Sequence, residues 1–360
     1  MSEPLIPKVV AGRWQTWWYD SAKKQRWKSF GNAKKVSRAE AMKKYRDWLI
    51  KDFYANESVS DPSGSMTVTA LVARYLKHAD TYYRRPDGTP TGEATNLRHA
   101  TQHLLAAYPD RQAHAIGIHE LKQVRQKMVA AKMSRRVINQ RINKTRAMYR
   151  WAAEEGILPD GEWMKQPFLK PLKMGRSDAV EGEPVKPVPQ AHIDATLGEV
   201  HEPIATMIRL QMLTGMRVTE TCIMRGQDID RMAEVWWYTP QWHKSAHRGR
   251  ERAIALGPQA QVLIAPHDGF GYLFVPTHHA AKQPRYNSNS YLRAIYRACD
   301  RLELPRWSPG QLRHNYAESV RRRFGLDAVA ATLGHADIET SQIYATLDRD
   351  KAAMVAKEVG

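Results

Sequence analysis

The stretch EPIATMIRLQMLTGMRVTETCIMRG (202–226) reads as a helix, a glycine turn and a second helix. Arg217 follows Gly215 at the junction, and Glu220 lies three residues on, close enough along a helix to share its face. Two readings stay open here: a buried arginine oriented by a carboxylate, or an i, i+3 ion pair on the surface. Downstream, VWWYTP (235–240) and RERAIALG (250–257) read as strands flanking the irregular QWHKSAHRG (241–249). That loop holds Lys244, whose flexible side chain reaches a ligand without disturbing the strands, together with His243, His247, Arg248 and Arg250. From Ser290 onward helices dominate.

Two further pieces carry candidate chemistry. In RWSPGQLRHNYAESVRRRFG (306–325), Ser308, Pro309 and Gln311 occupy N-cap, N1 and N3 positions, so a helix begins there and its N-terminal dipole favours an anion. Arg313 and His314 fall in its first turns, with Leu312, Tyr316 and Val320 as the expected buried stripe. In TLGHADIETSQIYATL (332–347), a turn at Gly334 places His335 just before a helix capped at Asp337, and Tyr344 follows nine residues after His335. Taken singly, each of these side chains has an ordinary structural reading.

Working outward, two linkers divide the chain: NESVSDPSGSMT (56–67), and LKMGRSDAVEGEPVKPVPQ (172–190), whose prolines forbid a helix. The expected parts are a small unit over residues 1–57, a helical unit over 66–170 and a mixed unit over 185–360. The first contains GRWQTWWYDSAKKQRWKSFG and then SRAEAMKKYRDWLIKDF, in which Ser37 and Glu40 have capping-box spacing; it reads as a hairpin with one helix packed on it, its tryptophans in the core. The second should hold several short helices from Val68 to about Glu155. Its most informative piece is SRRVINQRINKTRAMYRWAAEEG (134–156). There Ile138, Ile142, Tyr149 and Ala152 form one stripe, and Asn139, Asn143, Arg146 and Arg150 form another about 100° away. With Arg135 and Arg136 at its start, the polar stripe suits contact with base edges and phosphates, or merely a solvated basic face.

Composition bounds the function. The 360 residues carry a formal net charge of +18, distributed as +7 over 1–57, +7 over 58–183 and +4 over 184–360, which favours an extended polyanion such as double-stranded DNA over a lipid surface. The two cysteines, Cys222 and Cys299, have no CxxC spacing and read as buried small hydrophobes; no metal site and no cofactor is expected. With no apolar run long enough for a membrane span, a cytoplasmic protein without a membrane partner is expected.

Two arginines, a lysine, a histidine and a tyrosine in this order resemble the tyrosine recombinase (phage integrase) family, through TGMRVTE, HKSAHRGRERAIAL, SPGQLRHNYA and LGHADIETSQIYA. The resemblance is specific over 205–350 and weaker upstream. It implies a mainly α chain with small β elements (α+β): a helical, SAM-like core-binding domain and a mixed catalytic domain, preceded by a small arm-type or accessory DNA-binding domain. It further implies metal- and ATP-independent cleavage and rejoining of DNA. Tyr344 would form a 3′-phosphotyrosine, Arg217 and Arg313 would clamp the nonbridging oxygens, His335 would donate to them, and Lys244 would protonate the leaving 5′ oxygen; Glu220 and His314 would support the site. A homotetramer on paired sites, monomeric or dimeric when free, and a nucleoid-associated protein of bacterial or phage origin would follow. One departure stands out: the family usually has a histidine three residues before the second arginine, and here that residue is Gly310. A recombinase-derived DNA-binding protein with impaired catalysis and a type IB topoisomerase-like enzyme are the alternative expectations.

Overall fold

The computed structural model describes residues 7–19, 23–49, 52, 66–85, 88–243, 252–267, 269, 271–276 and 284–334. By its internal contacts the chain divides into two compact units, Met1–Glu183 and Pro184–Gly360. The division falls inside the proline-rich second linker, where a helix cannot form.

The first unit opens with an antiparallel meander, β1 (Lys8–Val10), β2 (Arg13–Tyr19) and β3 (Gln25–Asn32), followed by α1 (Arg38–Trp48). A bulge shifts the β2/β3 register so that Phe30 has no partner across from it and turns into the core, edge-on to Tyr45 at 5.6 Å. Gly31 (φ +119°) completes the bend, since a Cβ there would lie 2.7 Å from Val36. Ser37 caps α1 by accepting from the Glu40 amide at 3.2 Å. The tryptophans divide between two faces rather than all entering the core. Trp18 packs on Trp48 with ring centroids 5.0 Å apart. Trp17 and Trp27 pair across β2 and β3 on the other face, with Trp27 half exposed. Alternation along a strand forces that split.

The helical part comprises α2 (Val68–Tyr82), α3 (Glu93–Ala107), α4 (Ile118–Ala130) and α5 (Arg135–Glu154). Its core gathers Leu71, Val72 and Leu76 of α2, Leu97 and Leu104 of α3, and Leu121 and Met128 of α4 around Ile138, Ile142, Tyr149 and Ala152 of α5. The apolar stripe of α5 is therefore buried as its spacing requires, each large aliphatic side chain stabilising by about 1.5–3 kcal/mol. Ala70 and Ala73, on another face of α2, join the meander's own core of Phe30, Tyr45 and Trp48. Small residues there let the sheet domain approach the helix closely.

The second unit contains α6 (Gln190–Glu199), α7 (Glu202–Thr214), α8 (Val218–Cys222), the sheet β4 (Ile229–Asp230), β5 (Trp236–Tyr238) and β6 (Ile254–Leu256), then α9 (Pro258–Ile264), α10 (Ser288–Arg301), α11 (Leu312–Phe324) and α12 (Leu326–Leu333). Both cysteines are buried and free. Ser308 occupies the N-cap position of a short 3-10 turn, Pro309–Gln311, its N–H donating to Gln311 Oε1 at 2.8 Å, and the turn runs straight into α11. Leu312 and Val320 are buried as expected, but Tyr316 is only half-buried and Ala317 completes the stripe instead. The ring of Tyr316 lies against Gly215, in the space that a Cβ there would fill. Among the described residues no helix is long and apolar enough to cross a membrane.

Candidate active site

Gly215 terminates α7 in the left-handed conformation (φ +61°, ψ 14°). No other residue type fits: a Cβ would collide with the Tyr316 ring and come within 2.8 Å of Leu333 Cδ2. The chain then turns sharply, and Arg217 becomes the N-cap of α8. Glu220 settles the choice left open by spacing alone. Its carboxylate is fully buried; one oxygen accepts the Arg217 backbone N–H at 2.7 Å and the other accepts Nη1 of the same residue at 2.7 Å. Arg217 itself retains 26% side-chain exposure, so its guanidinium is oriented from inside and open to a ligand from outside. Burial would raise the Glu220 pKa, but the charges of Arg252 and Arg217 and the hydrogen bonds from Arg217 outweigh it and hold the group below its ordinary value.

Arg313 sits in the first turn of α11 and crosslinks two helix ends. Its Nη1 donates to the Gly215 carbonyl at 2.7 Å and its Nη2 to the Leu333 carbonyl at 2.8 Å. Leu333 precedes Gly334, the left-handed cap of α12 (φ +63°). Each carbonyl lies two residues before a predicted phosphate ligand, Arg217 in one case and His335 in the other. The second arginine therefore fixes the turns that present its two partners, and only a planar fork of donors can do so at both ends. Next to it, His314 is half-buried, and burial first and the Arg313 charge second lower its pKa below the ordinary imidazole value. Asn315 anchors the start of the unit by exchanging bonds with both the N–H (2.9 Å) and the carbonyl (2.7 Å) of Val188.

Thus Arg217, Glu220 and Arg313 are linked through the Gly215 turn and the packing of α11 against α7 and α12, while His314 is placed only beside Arg313. Lys244, His335 and Tyr344 lie outside the described residues. So do His247, Arg248 and Arg250, whereas His243 is buried. At Gly310, a Cβ would meet nothing closer than Ser308 Oγ at 3.8 Å, so a side chain can start from this position without a clash at its first atom.

Sequence reasoning missed Arg252. It is 5% exposed, with Nε 3.5 Å from Glu220 Oε1. The signal was present in RERAIALG: Arg252, Ile254 and Leu256 alternate with exposed residues, and period two places the arginine on the same inward face as the two apolar side chains.

In the first unit, α5 displays its polar stripe beside the buried one, with Arg136, Asn143 and Arg150 exposed. A shallow concavity on this face is lined by Arg135, Arg136, Asn139, Gln140, Asn143 and Lys144. Other members of the stripe have internal partners. Arg135 pairs with Glu181 at 2.6 Å, Asn139 exchanges bonds of 3.0 and 2.9 Å with the backbone of Leu172, and Arg146 donates to the Pro167 carbonyl at 3.2 Å. These contacts hold the segment after α5 along the helix. Among the described residues no cluster of His, Cys, Asp and Glu is suited to a metal ion.

Residues 191–351 match the phage integrase family. No curated protein sequence matches the chain. Similar solved structures include the Tn1549 transposon integrase in complex with transposon right end DNA, at 15% identity and a TM-score of 0.60, covering 81% of this chain and 99% of that one. A lambda integrase dimer bound to a COC′ core site aligns at 15% identity and a TM-score of 0.59, covering 95% and 94%. The XerH site-specific recombinase bound to a palindromic difH substrate aligns at 12% identity and a TM-score of 0.60, covering 83% and 97%. At these identities the likeness is one of fold.

Proposed function

The chain carries a phage integrase domain over residues 191–351, and we propose from that premise that it is a site-specific DNA recombinase working through a 3′-phosphotyrosine. The observation that carries this reading is the crosslinked arginine pair. Arg217 is aimed by a buried carboxylate, and Arg313 ties its turn to the turn that leads into His335. Two fixed guanidinium groups suit the nonbridging oxygens of a phosphodiester passing through a pentavalent state.

In the proposed reaction the Tyr344 phenol oxygen attacks the scissile phosphorus, forming the phosphotyrosine bond as the P–O5′ bond breaks. Lys244 supplies a proton to the departing 5′ oxygen, and His335 donates to a nonbridging oxygen. A free phenol titrates near 10, so attack at neutral pH relies on the arginines to stabilise charge on the phosphate and on a neighbouring base to accept the proton. The covalent ester conserves the phosphodiester energy. A 5′-hydroxyl from a second duplex then attacks it, restoring the tyrosine and joining the strands without ATP.

Residues 1–57 act in this reading as an accessory DNA-binding domain, 66–170 as the core-binding domain and 185–360 as the catalytic domain. The exposed side chains of α5, Arg136, Asn143 and Arg150, contact DNA, with Arg135, Asn139 and Arg146 framing that face. Double-stranded DNA is the partner, and recombination takes four protomers on paired sites. The test uses a nicked duplex carrying the site footprinted by the protein on DNA flanking its gene. A covalent adduct that disappears in Tyr344→Phe and in Arg313→Ala is expected. Binding without an adduct would leave a DNA-binding protein in place of an enzyme, and cleavage without strand transfer between duplexes would leave a topoisomerase-like activity.

A further inference from the structure

Arg252 enters β6 from an inward-facing position and is enclosed by the catalytic unit, although the reaction outlined above gives it no task. Its guanidinium faces two elements at once. Nε lies 3.5 Å from Glu220 Oε1, and Nη1 donates to the Thr332 carbonyl near the end of α12 at 3.3 Å. Gly334 closes over the same group: a Cβ there would lie 2.7 Å from Nη1, so the absence of a side chain makes the approach possible. Nε and Nη2 are buried, and among the described residues neither finds a hydrogen-bond acceptor.

Burial of an arginine without full hydrogen bonding is costly, and for a purely structural purpose an apolar side chain of similar volume serves as well or better. The charge balance points elsewhere. Arg217, Glu220 and Arg252 together hold two guanidinium charges against one carboxylate, so Arg252 leaves an excess positive charge around Arg217, one of the two arginines that would receive the phosphate. Arg252 also draws on the Glu220 oxygen that receives Arg217 Nη1, and so limits the positions that carboxylate can take.

We propose that Arg252 is a positioning residue for phosphodiester cleavage: its guanidinium couples the Glu220 carboxylate to the end of α12, setting the Arg217 side chain and the turn before His335 in one arrangement. The proposal rests on the recombinase reading above. It deepens that reading by adding a second crosslink, through Glu220 and Thr332, to the one that Arg313 makes through Gly215 and Leu333.

Single-turnover adduct formation on the nicked duplex separates positioning from mere folding, with duplex affinity and urea stability measured on the same full-length proteins. Arg252→Met is expected to bind the duplex within about twofold of the parent and to form the adduct about 10²-fold more slowly at saturating DNA, the loss typical of disturbing one oxyanion donor. Arg252→Lys keeps the charge toward Glu220 but loses the fork, and is expected to recover only part of that rate. A saturating rate within twofold of the parent in Arg252→Lys overturns the proposal, and so does a rate deficit in either variant that vanishes once the folded, DNA-bound fraction is accounted for. Should Arg252→Met fail to fold, Arg252→Lys alone decides. If the parent itself forms no adduct that depends on Tyr344, the recombinase reading fails; if it does and the Arg252 variants match it, the positioning role alone fails.

Discussion

Replacing Gly215 with alanine tests the geometry on which the arginine pair depends. Two penalties are expected, and the structure separates them. The first is the left-handed backbone (φ +61°), which costs an L-residue about 1–2 kcal/mol relative to glycine. The second is contact: the new Cβ collides with the Tyr316 ring and comes within 2.8 Å of Leu333 Cδ2, and overpacking of this kind costs about 1–3 kcal/mol. Gly156, just past the end of α5, has nearly the same φ (+63°), but an added Cβ there would meet nothing within 4 Å, so Gly156→Ala reports the backbone penalty alone. Urea titrations of the two full-length variants, each read on the transition of its own unit, should show Gly156→Ala losing about 1 kcal/mol and Gly215→Ala about 2–5 kcal/mol. Because the Gly215 carbonyl accepts from Arg313, adduct formation by Gly215→Ala should also fall while duplex binding persists. Equal destabilisation by the two substitutions would refute the claim that close packing of Tyr316 and Leu333 demands a glycine at this junction.

Glu220→Gln should lower stability at neutral pH by about 3 kcal/mol, because a buried carboxylate between two arginines is then missing its charge. The folded pKa of Glu220 lies below its ordinary value near 4.5, so its contribution is fully present above that value and is lost as pH falls toward the folded pKa. Acid titration of stability should therefore be flatter below about pH 4.5 in Glu220→Gln than in the parent, and an unchanged acid limb would exclude the ion-pair account. Gly310→His places an imidazole where a Cβ meets only Ser308 Oγ at 3.8 Å; positioned acid–base groups contribute about 10²–10⁴-fold, and adduct formation should rise by at least about tenfold. An unchanged rate in Gly310→His would mean that another group already handles the proton.

Local order was legible wherever one segment's pattern controls its own structure. The α5 stripe, the N-cap serines at 37 and 308, the strands at 236–238 and 254–256, and the helix–glycine–helix at 202–222 follow from periodicity, caps and the conformational freedom of glycine. Failures arose where a residue's environment comes from a remote element. Nothing in SRRVINQRINKTR discloses that the Asn139 amide exchanges bonds with the backbone of Leu172. The tryptophans of β2 and β3 could not be apportioned between faces without the bulge at Phe30.

The amino-acid order alone determined which charged and polar groups the chain carries, and where helices and strands begin, because both depend on side-chain chemistry and on spacings of a few residues. Only the tertiary structure decided which of those groups share a site and what orients them. Arg313 reaches carbonyls 98 and 20 residues away, and Arg252 reaches one 80 residues away. Such bonds form only after α7, α11, α12 and β6 have buried their apolar faces together. The hydrophobic pattern specifies which faces pack, but it is the packed geometry that aligns each donor with its acceptor.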